Sequence, residues 1–131
     1  MMIHQVQSVI TLMQNNLGQD LALNKMAQHV HVTREHLCRI FKLQVGCSPA
    51  KYLKSLRMQR AKFLLETTCL SVKEIMVRVG VKDESHFVRD FALAYTLTPA
   101  RYRELYLKSA TAMLIVQLRH QNRLTNIKAR Q

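Results

Sequence analysis

The sequence predicts an all-α fold, and three observations lead there. Of its 131 residues only 3 are Gly and 2 are Pro, too few for the turns of an all-β architecture. Its apolar residues, 48% of the total, recur at helical spacing rather than in alternation. Ser, Thr and Asp stand just ahead of several of these stripes, where helix N-caps belong. The same chain carries 20 Lys and Arg against 8 Asp and Glu, a formal net charge of +12. So much apolar material beside so much charge describes a folded basic domain, not a disordered tail.

Each helix has its own justification. Val6, Val9, Ile10, Met13 and Leu17 form an amphipathic stripe ended by Gly18. Leu23, Met26, Ala27 and Val30 make a short second stripe that breaks at His31, and Asp20 is the candidate cap ahead of it. Thr33 caps a third helix through Leu37, Ile40, Phe41 and Val45. Ser48 and Pro49 supply an N-cap and first-turn pair for a long helix to about Glu66, roughly 27 Å at 1.5 Å per residue. Ser71 and Glu74 form an S-x-x-E capping box before Ile75, Met76 and Val79, and Gly80 makes the turn. Asp83 then caps a helix bearing Phe87, Phe91, Ala94 and Tyr95, and Thr98-Pro99 opens a last one through Tyr102, Leu105 and Tyr106. Residues 108–131 hold five basic residues, no acid, and the apolar run Met113, Leu114, Ile115, Val116 and Leu118. A C-terminal helix packed on the body is the expectation there, with a dimer contact, an RNA polymerase contact or a DNA-touching arm as competitors.

The chain repeats itself. Shifting it by 50 residues superposes Met26 on Met76, His36 on His86, Arg39 on Arg89, Phe41 on Phe91, Leu43 on Leu93, Pro49 on Pro99, Ala50 on Ala100 and Tyr52 on Tyr102. One helix-turn-helix unit is thus used twice. The resulting organisation is a first subdomain over 1–47, a linker helix over 48–66, a second subdomain over 67–107 and a basic extension over 108–131. Of the net charge, residues 33–104 contribute +7, residues 105–131 contribute +5, and residues 1–32 none.

Projecting the second helix of each unit at 100° per residue separates its faces. Leu37, Ile40, Phe41 and Gln44 gather opposite Glu35, Arg39 and Lys42, with His36 and Cys38 at the margins. In the second unit Phe87, Phe91 and Ala94 oppose Ser85, Arg89 and Ala92, flanked by His86 and Val88. A charged stripe opposite a core stripe is ordinarily a solvated face. Here Arg39 and Arg89 occupy the same exposed angle in both copies of a basic chain, and the guanidinium fork matches the O6 and N7 acceptors of guanine in the major groove. Successive major-groove faces recur about every 34 Å, and a linker of this length holds two recognition helices near that separation.

Several motifs carry a resemblance to a known family: R-x-F-K around Arg39, G-x-S-P at Gly46 to Pro49, R-x-x-x-A-x-x-L-L from Arg57 to Leu65, and T-P-x-x-Y-R from Thr98 to Arg103. Over about residues 3–107 the chain resembles the DNA-binding domain of the AraC/XylS family of bacterial transcription regulators. The resemblance implies seven helices in two helix-turn-helix subdomains that insert their recognition helices, about 33–45 and 83–95, into successive major-groove segments of a promoter. It implies base or groove contacts by Glu35, Cys38 and Arg39 in the first unit and by Ser85, His86 and Arg89 in the second. Arg39 and Arg89 suit guanine, Glu35 suits the cytosine amino group, and Ser85 or His86 suits a base edge or a phosphate. Lys42, Lys51, Lys54 and Arg101 are candidate phosphate contacts, with plain solubilising charge as the alternative. Arg57 and Arg60 share the linker helix with an apolar stripe and read as structural salt bridges.

The chain also departs from the family pattern. His31 stands where the first turn usually has Gly, Ala22 where a capping Ser or Thr is common, Val81 for Phe, Ala92 for Lys and Thr96 for Gly. A weaker backbone grip by the second unit is expected. Family members commonly carry a sensing or dimerisation domain for which this chain has no room. It is read either as a short, monomer-competent regulator or as the reader of something longer, the opening Met-Met favouring a native start.

Other classes have less behind them. Cys38, Cys47 and Cys69 fit neither a disulfide framework nor a metal knuckle, and the six His lack ligand spacing. No catalytic pair, phosphate loop or cofactor motif is present, so no enzyme, metal or cofactor is expected. No apolar run is long enough for a membrane span or a secretory signal, so a cytoplasmic, nucleoid-associated protein is expected. The competing function is a helical adaptor that binds proteins through residues 108–131 and holds DNA weakly or without specificity.

Overall fold

The computed structural model describes the backbone of residues 2–129 and the side chains of residues 3–126. Among the described residues it contains seven helices and no strand: α1 (Met2–Asn15), α2 (Leu23–His29), α3 (Arg34–Val45), α4 (Pro49–Thr67), α5 (Val72–Val79), α6 (Glu84–Tyr95) and α7 (Pro99–Ala129). Helices α2 and α3 form one helix-turn-helix pair, α5 and α6 the other, and α4 joins them. Among the described residues no helix is long and apolar enough to cross a membrane.

The cap residues act as their chemistry requires. Thr33 accepts from the His36 backbone N–H at 3.1 Å, Asp83 from that of His86 at 2.8 Å, Ser48 from Lys51 at 3.2 Å and Thr98 from Arg101 at 3.3 Å. Ser71 and Glu74 close a reciprocal capping box. Helix α2 is the exception. Its N-cap is Ala22, without a side-chain bond, and Asp20 does not take the role because it lies two residues too early.

Two cores result. Val6, Val9 and Met13 of α1 pack with Met26, Ala27, Leu37, Ile40, Phe41 and Leu53. Met58, Ala61, Leu64 and Leu65, further along α4, pack with Ile75, Met76, Val79, Phe87 and Phe91. One helix thus belongs to both cores, the change of side falling between Leu53 and Met58. The duplication persists in side-chain geometry. Phe41 meets Tyr52 edge-on at 5.5 Å and 67°, and their counterparts Phe91 and Tyr102 meet at 5.7 Å and 73°.

The repeat is not uniform, and the structure corrects its register at the front. The turn bond from Val32 N–H to Ala27 C=O corresponds to that from Val81 N–H to Met76 C=O, an offset of 49 rather than 50. The buried triads Met26, Ala27, Val30 and Ile75, Met76, Val79 agree with 49. The Met26–Met76 coincidence is therefore not an equivalence. Lys82 is an extra residue between the second turn and its recognition helix, and the other seven identities fall after it.

The C-terminal residues are helical as expected but do not form a separate eighth helix packed on the body. No Gly or Pro follows Pro99, so α7 runs on unbroken to Ala129, and residues 106–126 are exposed.

Candidate nucleic-acid interface

Helices α3 and α6 are each anchored by an aromatic pair of contacts and leave one face free. Leu37, Ile40 and Phe41 are buried on α3, and Phe87 and Phe91 on α6. Glu35, Arg39 and Lys42 are exposed on α3; Ser85, His86 and Arg89 are exposed on α6; Cys38 and His36 are half-buried. All six residues expected at base edges lie in the first two turns of their helices; Glu35 with Ser85 and Arg39 with Arg89 are matched across the two units, whereas Cys38 corresponds to Val88 and His86 to His36. Gln44 and Ala94, expected on the core side, are exposed, because the next residues, Val45 and Tyr95, take the place against the core one turn after Phe41 and Phe91. Ala92, expected on the free face, is half-buried. Leu43 and Leu93, another matched pair, are 74% and 78% exposed beside that face.

The two arginines are held differently. Arg39 Nη2 donates to His36 Nδ1 at 2.8 Å, one helical turn back. Together with His31, Val32, Thr33 and Glu35 they line a shallow recess at the start of α3. Arg89 has Nε 4.0 Å from the carboxylate of Asp90, which also pairs with Lys54 Nζ of α4 at 3.5 Å. Asp90 is 15% exposed and stands between linker and recognition helix, so Lys54 is drawn toward α6 rather than left free. Such partly exposed pairs contribute at most about 1 kcal/mol to stability. Arg101 donates to Glu104 at 3.1 Å, and Lys108 reaches the same carboxylate at 3.0 Å. The side chains of Lys42 and Lys51 are exposed and form no ion pair among the described residues.

Electrostatics at the helix starts is local. The His86 backbone N–H, bonded to the Asp83 carboxylate, holds that carboxyl below its ordinary value, and charges nearby assist. Lys108 and Arg101 do the same for Glu104. The Tyr102 hydroxyl is pushed upward by burial and by its 2.6 Å bond to Glu66, which ties α7 to α4.

Three arginines outside the free faces, Arg57, Arg60 and Arg103, make contacts that residue pattern did not reveal. Arg57 was expected in a salt bridge. Its Nε instead donates to Leu17 C=O at 3.3 Å and its Nη2 to Gln19 C=O at 3.0 Å. Arg60, expected likewise, lies over the Phe63 ring at 5.1 Å. Arg103, the last residue of T-P-x-x-Y-R, donates to the carbonyls of Leu65 at 3.2 Å, Thr68 at 3.2 Å and Leu70, and so caps the C-terminal end of α4. Carbonyls leave no mark in a sequence, which is why a search for acidic partners misassigns such residues.

Comparison with known proteins bears directly on this arrangement. A family model described as a helix-turn-helix domain matches residues 26–105, from α2 into α7. The lactose operon transcription activator of Staphylococcus xylosus is 32% identical over 98 residues, 75% of this chain and 35% of that protein. The transcriptional regulator MtrA of Neisseria gonorrhoeae is 35% identical over 101 residues, 77% of this chain and 32% of that protein. The chain thus spans about a third of the length of these curated relatives. Among solved structures, an AraC-type regulator from Chromobacterium violaceum superposes with a TM-score of 0.72 at 30% identity, covering 78% of this chain and 91% of that one. The DNA-binding domain of the global transcriptional factor AdpA, solved in complex with a target DNA, gives 0.74 at 26% identity, covering 77% and 91%. Paired helix-turn-helix units, a shared linker helix and these matches agree: the chain belongs to the AraC-type helix-turn-helix family.

Proposed function

We propose that this protein is a sequence-specific double-stranded DNA-binding transcription regulator that sets α3 and α6 into successive major-groove segments of a promoter. The observation that carries the reading is the matched pair of free faces, with Arg39 and Arg89 at equivalent exposed positions of duplicated recognition helices. Arg39 and Arg89 read guanine through paired donors; Glu35 accepts from cytosine; Ser85, His86 and Cys38 complete the groove contacts. His36 orients the Arg39 guanidinium before DNA arrives. Lys42 and Lys51 clamp phosphates. Lys54 and Arg101 join them by exchanging Asp90 and Glu104 for phosphate oxygens, and so add less. The likeness to a domain solved with its target DNA supports the reading. The exposed apolar residues of α7, Met113, Leu114, Ile115 and Val116, are where RNA polymerase or a second copy would dock.

Competition of duplexes enriched by the protein against unselected duplex tests this function. The reading expects at least about a thousandfold preference at physiological salt. Equal affinity for both pools, combined with capture of a protein partner that nuclease does not disturb, would favour the adaptor instead.

A further inference from the structure

We infer that Arg57 and Gly80 are positioning residues that lock the second recognition helix in register with the first, a role that rests on the DNA-reading function proposed above. The two helix-turn-helix units touch where the α1–α2 turn meets the α5–α6 turn. Gly80, at φ +79°, is so close to the first unit that a Cβ there would lie 2.3 Å from Leu17 C=O and 3.3 Å from the Gly18 carbonyl carbon. A Cβ on Gly18 would in turn lie 3.0 Å from Arg78 C=O. Backbone therefore packs on backbone across the junction, a contact available only to glycine.

Arg57 closes the same junction from α4. Its two donors hold Leu17 C=O and Gln19 C=O, and its Nη2 would be 3.1 Å from a Gly80 Cβ. Linker, first unit and second unit meet at one point. Elsewhere the units face each other across a cleft of about 1030 Å³ lined by Leu23, Met26, Met76 and Val81. Without the junction, their relative orientation rests on the stretch of α4 between Leu53 and Met58, where the helix changes core, and on the partly exposed Lys54–Asp90 pair. Only Val81, Lys82 and Asp83 separate Gly80 from α6, so a shift at the junction is delivered directly to Ser85, His86 and Arg89.

The test separates register from folding by two readouts on the full chain. Residual dipolar couplings, measured without DNA, should fit one alignment tensor for both units in the unaltered protein and two different tensors in Gly80→Ala and in Arg57→Gln. Gly46→Ala is the control, since Gly46 also has a left-handed φ, +96°, but nothing within 4 Å of its Cβ position; it should keep one tensor. On DNA, one base pair inserted between the two blocks of a selected site should cost the unaltered protein at least about tenfold in affinity and either variant markedly less. A single, unchanged tensor in both variants, or undiminished sensitivity to the insertion, overturns the inference. Should Gly80→Ala fail to fold, Arg57→Gln alone decides. If the unaltered protein prefers no duplex at all, the proposed function fails, while the couplings still decide whether the junction locks.

Discussion

Two non-glycine residues adopt left-handed backbone, His31 at φ +59° and Thr96 at φ +67°. An L residue there costs about 1–2 kcal/mol, and a β-branched one sits worst. Thr96→Gly relieves the clash against a smaller loss of backbone entropy, so it should stabilise the protein by about 1 kcal/mol and raise Tm by roughly 3 °C in a melting experiment. Both positions were legible from sequence as places where the family pattern has Gly. Arg103 was not, although it belongs to a motif. It satisfies carbonyls at the end of α4, so Arg103→Gln should destabilise by about 2 kcal/mol in denaturant titration. Lys there would recover only part of this, because one ammonium cannot span carbonyls so far apart.

At the scale of the element, helix starts were the most readable feature and helix ends the least. Thr33, Ser48, Ser71, Asp83 and Thr98 announce themselves because an N-cap needs a side-chain acceptor at a fixed place. The end of α7 gives no such signal, and its continuation past Tyr106 follows only from the absence of a breaker. Faces were legible from helical period, except at Gln44 and Ala94, where the neighbouring Val45 and Tyr95 rather than the projected residues continue the core stripe. The Asp83 cap makes α6 pH-dependent. Its carboxyl is lowered in the folded chain from an ordinary 3.8, so its stabilisation is complete above that value and is lost as pH falls through the lowered one. Unfolding followed between pH 2 and 6 should show this loss. Asp83→Asn keeps an acceptor for the His86 N–H and should remove that part of the acid dependence.

At the scale of the whole molecule, the charge is distributed as a reader needs it. The net +7 of residues 33–104 lies across both units and the linker, and +5 lies in residues 105–131. Binding should therefore weaken steeply with salt, and replacing Lys42 or Lys51 by Ala should lower the slope of log K against log salt by about 1 without changing sequence preference. The two-unit plan was readable from a 50-residue shift. The offset of 49 at the first turn was not, since one chance identity concealed it, and neither was the contact between units, which is made by backbone. On the proposed function, α3 and α6 each read their own segment of one duplex. Selection from a random duplex library by the unaltered protein, Arg39→Ala and Arg89→Ala tests it most directly. Two informative blocks about one helical turn apart are expected, each substitution costing about 1–3 kcal/mol and erasing preference in a different block. A single block, or both substitutions erasing the same one, would contradict it.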